Sequence, residues 1–102
     1  MILQIYLCAF FAGIFLANAI PHFVQGISGN KFPTPFAKPP GLGLSSAPVN
    51  VVWGLFNAII GTILFIYSHI SAETTLPWVV FFAGVALISV PMSIRFAKKH
   101  KE

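Results

Sequence analysis

The chain has 102 residues, of which 57% are hydrophobic and only 8% are charged, and its formal net charge is +4 at pH 7. Soluble domains carry roughly 25% charged residues, and a domain this small exposes too much surface to be covered by so few charges. The composition therefore excludes an ordinary soluble domain. The single cysteine, Cys8, has no partner in the chain for a disulfide, so cysteine usage indicates no redox compartment.

Three apolar stretches organise the sequence, at residues 3–20, 49–70 and 76–94. Each has the length of about 17–25 residues that a helix needs to cross a bilayer, and none contains Asp, Glu, Lys or Arg. The sequence therefore predicts an all-α fold, a single integral membrane domain built as a three-helix transmembrane bundle. A Pro/Gly-rich interfacial loop at 21–47, an outer turn at 71–75 and a basic tail at 95–102 complete the predicted organisation.

The first apolar stretch has an alternative interpretation as a cleaved signal peptide. Signal peptides begin with a basic region ahead of a short apolar core. The opening residues MILQIYLCAF contain no Lys or Arg. We therefore expect this stretch to be a retained membrane span.

The basic residues predict the orientation of the bundle. Three crossings place the loop and the tail on the same side, and these segments hold every Lys and Arg of the chain. The positive-inside rule makes that side cytoplasmic, so we expect a multi-pass protein of the cell inner membrane with the N-terminus outside and the C-terminus in the cytoplasm. Basic residues beside apolar runs favour membrane lipids over nucleic acid as partners. The expected headgroup contacts are Lys31, Lys38, Arg95, Lys98 and Lys99.

Local chemistry predicts some of the helix ends. Ser46 is placed to cap the second helix, with Pro48 in its first turn, where a missing N–H costs nothing. Pro21 leaves two alternatives open, because it either ends the first helix or kinks it and lets it continue through Val24.

Small residues recur at helical spacing in all three spans, which is typical of faces where helix backbones approach closely. The row in the first span is Ala9, Gly13 and Ala17. The row in the second is Asn50, Gly54, Asn57 and Gly61, with Ser68 on its continuation, and the row in the third is Ala86, Ser89, Ser93 and Ala97.

Polar residues in the half of the spans nearest the loop form a candidate binding site. Antiparallel packing of the first two helices brings the end of one beside the start of the other, so Asn50 should meet His22 or Asn18. One interpretation is a ligand-binding pocket, and the other is ordinary interhelical hydrogen bonding. No His, Cys, Asp or Glu cluster has metal-ligand spacing, so we expect neither a metal nor another cofactor. The candidate ligand-binding residues are Asn18, His22, Gln25, Asn50 and Asn57.

The loop itself carries apolar residues that a fully solvated linker would lack. Phe32 and Phe36 bracket two prolines, and Leu42 and Leu44 follow. Two arrangements would remove these apolar side chains from water. Either the loop folds back on the membrane surface, or it forms an apolar plug on the helix ends.

The block IPHFVQGISGNKFPTPFAKPPGLGLSSAPVNVVWGLFN resembles a group of small, uncharacterised bacterial multi-spanning membrane proteins. The resemblance implies a bacterial inner-membrane protein and no particular activity. It assigns no role to any residue.

Several functions are disfavoured by what the spans and loops lack. Small multidrug transporters couple protons through a membrane-embedded carboxylate, and no span here contains an acid. Neither a catalytic triad, nor paired carboxylates, nor a phosphate-binding glycine loop is present, so we expect no enzyme. Two functions remain: a structural or interaction subunit that forms a homo-oligomer or docks on a larger membrane complex, and a small-molecule or lipid-binding or transport protein.

Overall fold

The computed structural model describes residues 2–99, and this part of the chain folds into three helices and a short strand pair. Helix α1 is Ile2–Ile27, α2 is Ala47–Tyr67 and α3 is Leu76–Phe96, while strands β1 (Phe32–Pro33) and β2 (Leu44–Ser45) lie between α1 and α2. All three helices are long and apolar enough to cross a membrane. The chain is therefore a multi-pass membrane protein with the predicted all-α, three-helix architecture.

Helix α1 lies between the other two helices and packs along both. Direct contacts between α2 and α3 include the ring of Phe65 against the rings of Trp78 and Phe81. The molecule measures 45 × 23 × 20 Å, so its long axis matches the roughly 40–45 Å of a bilayer with its headgroups. We call the end that carries residues 28–46 the loop end, and the end that carries residues 68–75 the turn end.

Helix α1 continues through Pro21, so residues 21–27, predicted to begin the loop, are helical. Packing outweighs the hydrogen bond that the proline removes, because His22 and Gly26 are both buried, and a Cβ on Gly26 would touch the carbonyl oxygen of Ala47. The helix then ends in a Schellman motif. The N–H of Asn30 donates to the carbonyl of Gln25 at 2.9 Å, that of Gly29 donates to Gly26 at 3.0 Å, and Gly29 takes a φ of 80°.

The predicted start of α2 is confirmed. Ser46 is the N-cap residue, its side chain accepts a hydrogen bond from the N–H of Val49 at 3.4 Å, and a proline lies in the first turn. The small-residue face of α2 is also confirmed, since Asn50, Gly54, Asn57 and Gly61 are the buried residues of this helix. That face meets α1, with Gly54 against the backbone of Phe23 and Gly61 against Leu16.

Two glycines set the distance between α1 and α3. A Cβ on Gly13 would overlap the carbonyl oxygen of Phe81, and a Cβ on Gly84 would overlap that of Phe10. The two helices therefore touch through their backbones, which is the arrangement expected for the small-residue row of α1.

The small-residue row predicted for α3 is wrong as a packing face. Ala86, Ser93 and Ala97 are exposed, and Ser89 is only half-buried. Phe81 and Gly84 are the buried residues of this helix. The reason is that contact with Gly13 of α1 selects the face containing Gly84, which turns the predicted row away from the rest of the bundle.

Candidate functional site

The loop folds back as a compact cap on the loop end of the bundle. Strands β1 and β2 pair antiparallel, with Phe32 opposite Ser45 and Pro33 opposite Leu44. Between them the carbonyl of Thr34 accepts from the N–H groups of Ala37 at 3.2 Å and Gly41 at 3.0 Å. Pro33 and Thr34 are fully buried. The arrangement resembles the predicted plug on the helix ends, although Phe36 remains 66% exposed.

Asn50 holds this cap on α2. Its side chain is completely buried, and its Nδ2 donates to the carbonyls of Phe32 at 2.9 Å, Ser46 at 3.1 Å and Ser45 at 3.3 Å. These carbonyls belong to both strands of the loop and to the helix cap. One amide, whose two N–H protons are shared among three carbonyls, thus links three segments of the chain. The carbonyl of Ser46 also accepts from the backbone N–H of Asn50.

His22 completes the hydrogen bonding of Asn50. Its Nδ1 lies 2.9 Å from Oδ1 of Asn50. The amide nitrogen of Asn50 faces three carbonyls, so its amide oxygen must be the atom that faces the imidazole. An amide oxygen only accepts hydrogen bonds, and Nδ1 of His22 therefore carries a proton. In the neutral ring Nε2 is then an acceptor. Within residues 2–99 no hydrogen bond satisfies Nε2, although the side chain is only 2% exposed.

A second polar pair lies one helical turn deeper in the bundle. Nδ2 of Asn18 donates to Oδ1 of Asn57 at 3.1 Å, and Nδ2 of Asn57 donates to the carbonyl of Trp53 at 2.8 Å. This pair joins α1 to α2 below the level of His22 and Asn50.

A cavity of about 130 Å³ lies beneath the loop. All three helices and the loop contribute to its wall, so it exists only in the folded bundle. Its volume is large enough for several water molecules or one small polar group. The lining residues are Asn18, His22, Pro33, Thr34, Pro35, Gly41, Trp53, Met92, Arg95 and Phe96.

Two further polar groups on this wall bear on what the cavity can bind. The Nε1 of Trp53 is buried and has no hydrogen-bond partner among the described residues. Arg95 reaches from the last turn of α3 to the loop, where its Nη2 donates to the carbonyl of Pro40 at 2.7 Å. Gly41 is required beside it, because it has a φ of 76° and a Cβ there would touch the guanidinium.

Aromatic rings close the site around His22. The imidazole makes edge-to-face contacts with Phe32 at 5.5 Å, Phe96 at 5.9 Å and Trp53 at 6.4 Å between ring centroids. Each ring comes from a different element, namely the loop, α3 and α2. They limit access of water to the imidazole and fix its orientation.

The structure brings together four of the five residues predicted to bind a ligand: Asn18, His22, Asn50 and Asn57. Of these, Asn18 and His22 line the cavity, while Asn50 and Asn57 support them from behind. Gln25 lies outside the site, where its Oε1 accepts from Asn30 at 2.9 Å. Thr34, Trp53 and Phe96 line the cavity without having been predicted to do so. Only the position of Trp53, three residues after Asn50 in the chain, offered a signal for including it.

The basic residues predicted to contact headgroups all lie at the loop end. Lys31, Lys38, Arg95, Lys98 and Lys99 are exposed, and the Nζ of Lys99 lies 6.0 Å from the centre of the Phe32 ring. Glu73, the one acid within residues 2–99, is at the turn end. No three His, Cys, Asp or Glu side chains in that range are grouped so as to hold a metal ion.

Fold and site together define a three-helix membrane protein with a loop-capped polar cavity at one end. Comparison with protein-family models, curated proteins and solved structures finds no match.

Proposed function

We propose that this chain is a membrane protein that binds a small polar molecule or a lipid headgroup in the cavity beneath its loop. The observation that carries the proposal is the state of His22. Its Nδ1 is satisfied by Asn50, whereas within residues 2–99 Nε2 has no hydrogen bond, and the residue lines the cavity. Trp53 on the same wall has a buried Nε1 that also has no partner among those residues. A buried polar group costs about 1–3 kcal/mol when it is left without a hydrogen bond, so a ligand that supplies one is favoured.

The rest of the bundle supports binding over passage through the membrane. In the half of the bundle nearest the turn end, α1 and α3 touch through Gly13 and Gly84, and Ala9 and Ala12 are completely buried. The polar cavity therefore ends inside the bundle. Within the site, the hydroxyl of Thr34 is already hydrogen-bonded to that of Ser45. This arrangement favours a binding role over a catalytic one.

The loop end is proposed to face the cytoplasm of a bacterial cell, in the inner membrane. The support is the clustering of basic residues at the loop end, with Glu73 at the opposite end. In a Cys8→Ser background, a cysteine introduced at Glu73 should react with a membrane-impermeant thiol reagent in intact cells. A cysteine introduced at Lys38 should react only after the cells are opened. Reversal of this pattern would reverse the orientation.

The binding proposal is tested by a pair of variants at His22. In His22→Asn, the shorter amide places a donor near the former Nδ1, so the bond to Asn50 is retained while Nε2 is lost. In His22→Ala both are lost. Each protein is purified in mild detergent, its retained small molecules are identified by native mass spectrometry, and its unfolding is followed in parallel.

The expected result is that the wild-type protein retains a ligand, that His22→Asn loses it while keeping close to wild-type stability, and that His22→Ala loses both. The matched control is Asn30→Ala, an exposed amide at the same end of the molecule. If His22→Asn retains the same ligand as the wild-type protein, Nε2 does not bind it and the proposal is wrong.

A second candidate function, an interaction subunit, is favoured by the surface of α3. Only Phe81 and Gly84 of this helix are buried, and the small residues Ala86, Ser93 and Ala97 are exposed. Two copies of the chain could pack through this row, since small residues allow close approach of helices. In a Cys8→Ser background, Ser93→Cys should then form a disulfide-linked dimer in membranes, whereas Ile94→Cys should form less, because the exposed Ile94 lies about 100° around the helix from Ser93. Equal cross-linking at both positions would remove this candidate.

A further inference from the structure

The chemistry of the cavity wall narrows the class of ligand. Trp53 Nε1 can only donate a hydrogen bond, and it is buried without a partner among residues 2–99. Arg95 has five N–H donors, of which Nη2 reaches the carbonyl of Pro40. His22 Nε2 is the acceptor on the same wall. A ligand that matches this set has strong acceptor oxygens together with a nearby hydroxyl or amine.

Charge favours an anion. The described residues at the loop end include five exposed cations and no acid. A guanidinium binds phosphate through parallel N–H···O bonds, which makes arginine well suited to planar, two-point contact with a phosphoryl group. We propose that the cavity binds a phosphate ester, with its phosphoryl oxygens toward Arg95 and Trp53 and a hydroxyl or amine of the same molecule toward His22. This inference rests on the proposed binding function.

A neighbouring groove favours a phospholipid over a soluble phosphate ester as the source of this group. The groove has a volume of about 480 Å³ and is lined only by apolar and aromatic residues, namely Phe36, Pro48, Val49, Val52, Trp53 and Phe56. It adjoins the cavity, because Trp53 lines both and Pro35 of the cavity precedes Phe36 of the groove. A lipid bound with its phosphate in the cavity can place an acyl chain in this groove.

The test uses the full chain in a neutral detergent and three soluble probes. They are dioctanoyl phosphatidylglycerol, glycerol 3-phosphate and dioctanoylglycerol, which share a glycerol unit and differ in phosphate and acyl chains. Native mass spectrometry measures the bound fraction at increasing probe concentration. We expect the phosphatidylglycerol to bind at one molecule per chain, glycerol 3-phosphate to bind more weakly, and dioctanoylglycerol to bind at least about tenfold more weakly than the phospholipid.

A matched pair of variants tests the role of Arg95. Arg95→Gln should weaken binding of the phosphatidylglycerol by at least about tenfold. Asn30→Ala removes an exposed amide at the same end of the molecule, which does not line the cavity, so it should have little effect. Arg95→Lys keeps the charge and a donor for Pro40 but lacks the planar fork, so it should bind with intermediate affinity. Unfolding of each variant is measured alongside, and the comparison among probes on the wild-type protein needs no substitution at all.

The outcomes separate this inference from the binding function beneath it. If dioctanoylglycerol binds as well as the phospholipid, or if Arg95→Gln and Asn30→Ala have equal effects, the phosphate assignment is overturned. If none of the probes binds but the purified protein retains another ligand that His22→Asn releases, the phosphate assignment fails and the binding function stands. If nothing binds and nothing is retained, both fail. Tighter binding of glycerol 3-phosphate than of the phospholipid would identify a soluble phosphate ester as the ligand.

Discussion

The helices meet in two different ways in the two halves of the bundle. Toward the turn end, α1 and α3 touch through their backbones, with Gly13 against the carbonyl of Phe81 and Gly84 against that of Phe10. Toward the loop end, the helices and the loop are joined by side-chain hydrogen bonds that converge on Asn50. The first kind of contact needs small residues, and the second needs particular polar atoms.

This difference follows from the solvent that surrounds the helices. In lipid, burial of apolar side chains gives little net drive for helices to associate, so close packing and hydrogen bonds must supply it. Backbone contact provides dispersion energy along a dry surface but offers nothing to a polar ligand. The loop end uses hydrogen bonds instead, and there the described part of the chain offers no partner to the Nε2 of His22 or to the indole N–H of Trp53. Both halves thus contribute to stability, whereas the unpaired polar groups that could bind a ligand lie in the loop-end half.

The largest expected effect is at the glycine contact of the turn-end half. Gly13→Ala places a Cβ within the carbonyl oxygen of Phe81, so α1 and α3 must separate. We expect a loss of about 3 kcal/mol in the free energy of unfolding, at the upper end of overpacking effects. The loss should occur although alanine is the better helix former. Unfolding by sodium dodecyl sulfate in mixed micelles, followed by circular dichroism, measures it.

The control for this prediction is Ala83→Leu, beside the contact in sequence but exposed on α3. It adds more atoms than Gly13→Ala yet should change stability by less than about 0.5 kcal/mol. Equal effects of the two substitutions would show that α1 and α3 do not meet through Gly13.

A smaller effect is expected at the hydrogen-bonding centre of the loop end. Asn50→Ala removes the acceptor of His22 Nδ1 and the donor of three backbone carbonyls. We expect a loss of about 2 kcal/mol, since buried partners are left unsatisfied. The loop should also become sensitive to protease while the contacts at the turn end persist. Hydrogen exchange resolved by segment would show the change confined to residues near the loop.

Asn30→Ala is the matched control, because it removes an exposed amide whose Nδ2 bonds only to the side chain of Gln25. Its free energy of unfolding should lie within about 0.5 kcal/mol of the wild-type value. The resistance of its loop to protease should be unchanged. If Asn50→Ala behaves the same way, then Asn50 does not hold the cap.

Sequence periodicity predicted the helices and the contact between α1 and α2, because both depend on the spacing of residues along a single helix. The asparagines and glycines of α2 lie on one face of that helix wherever it packs, and the antiparallel arrangement of α1 and α2 then places Asn50 beside His22. The packing face of α3 was not predictable in this way. Its predicted row of alanines and serines and its real face at Phe81 and Gly84 differ by a rotation about the helix axis. Lipid can contact either face, so the sequence of α3 alone does not select one.

The loop was predicted only in outline, for a different reason. Its strands contain two residues each, too short for any alternating pattern to reveal. They are held by Asn50 of α2, a contact that no local signal in the loop specifies. The cavity depends in turn on Arg95, which is distant in sequence and joins the loop through a backbone carbonyl. The sequence therefore predicted that Asn18, His22, Asn50 and Asn57 lie near one another, but it predicted neither Thr34 and Trp53 as lining residues nor the cavity itself.

The smallest expected effect separates the deeper amide pair from the binding site. Asn57 donates to the carbonyl of Trp53 within its own helix, so its contact across the bundle is the bond it accepts from Asn18. Interhelical hydrogen bonds in a membrane bundle are worth about 0.6 kcal/mol on average. A double-mutant cycle of Asn18→Ala and Asn57→Ala should give a coupling of about that size. Because Asn18 lines the cavity and Asn57 does not, ligand retention should weaken in Asn18→Ala and persist in Asn57→Ala. Equal retention in both variants would mean that Asn18 contributes only to packing, which would leave His22, Trp53 and Arg95 as the polar groups that hold the ligand.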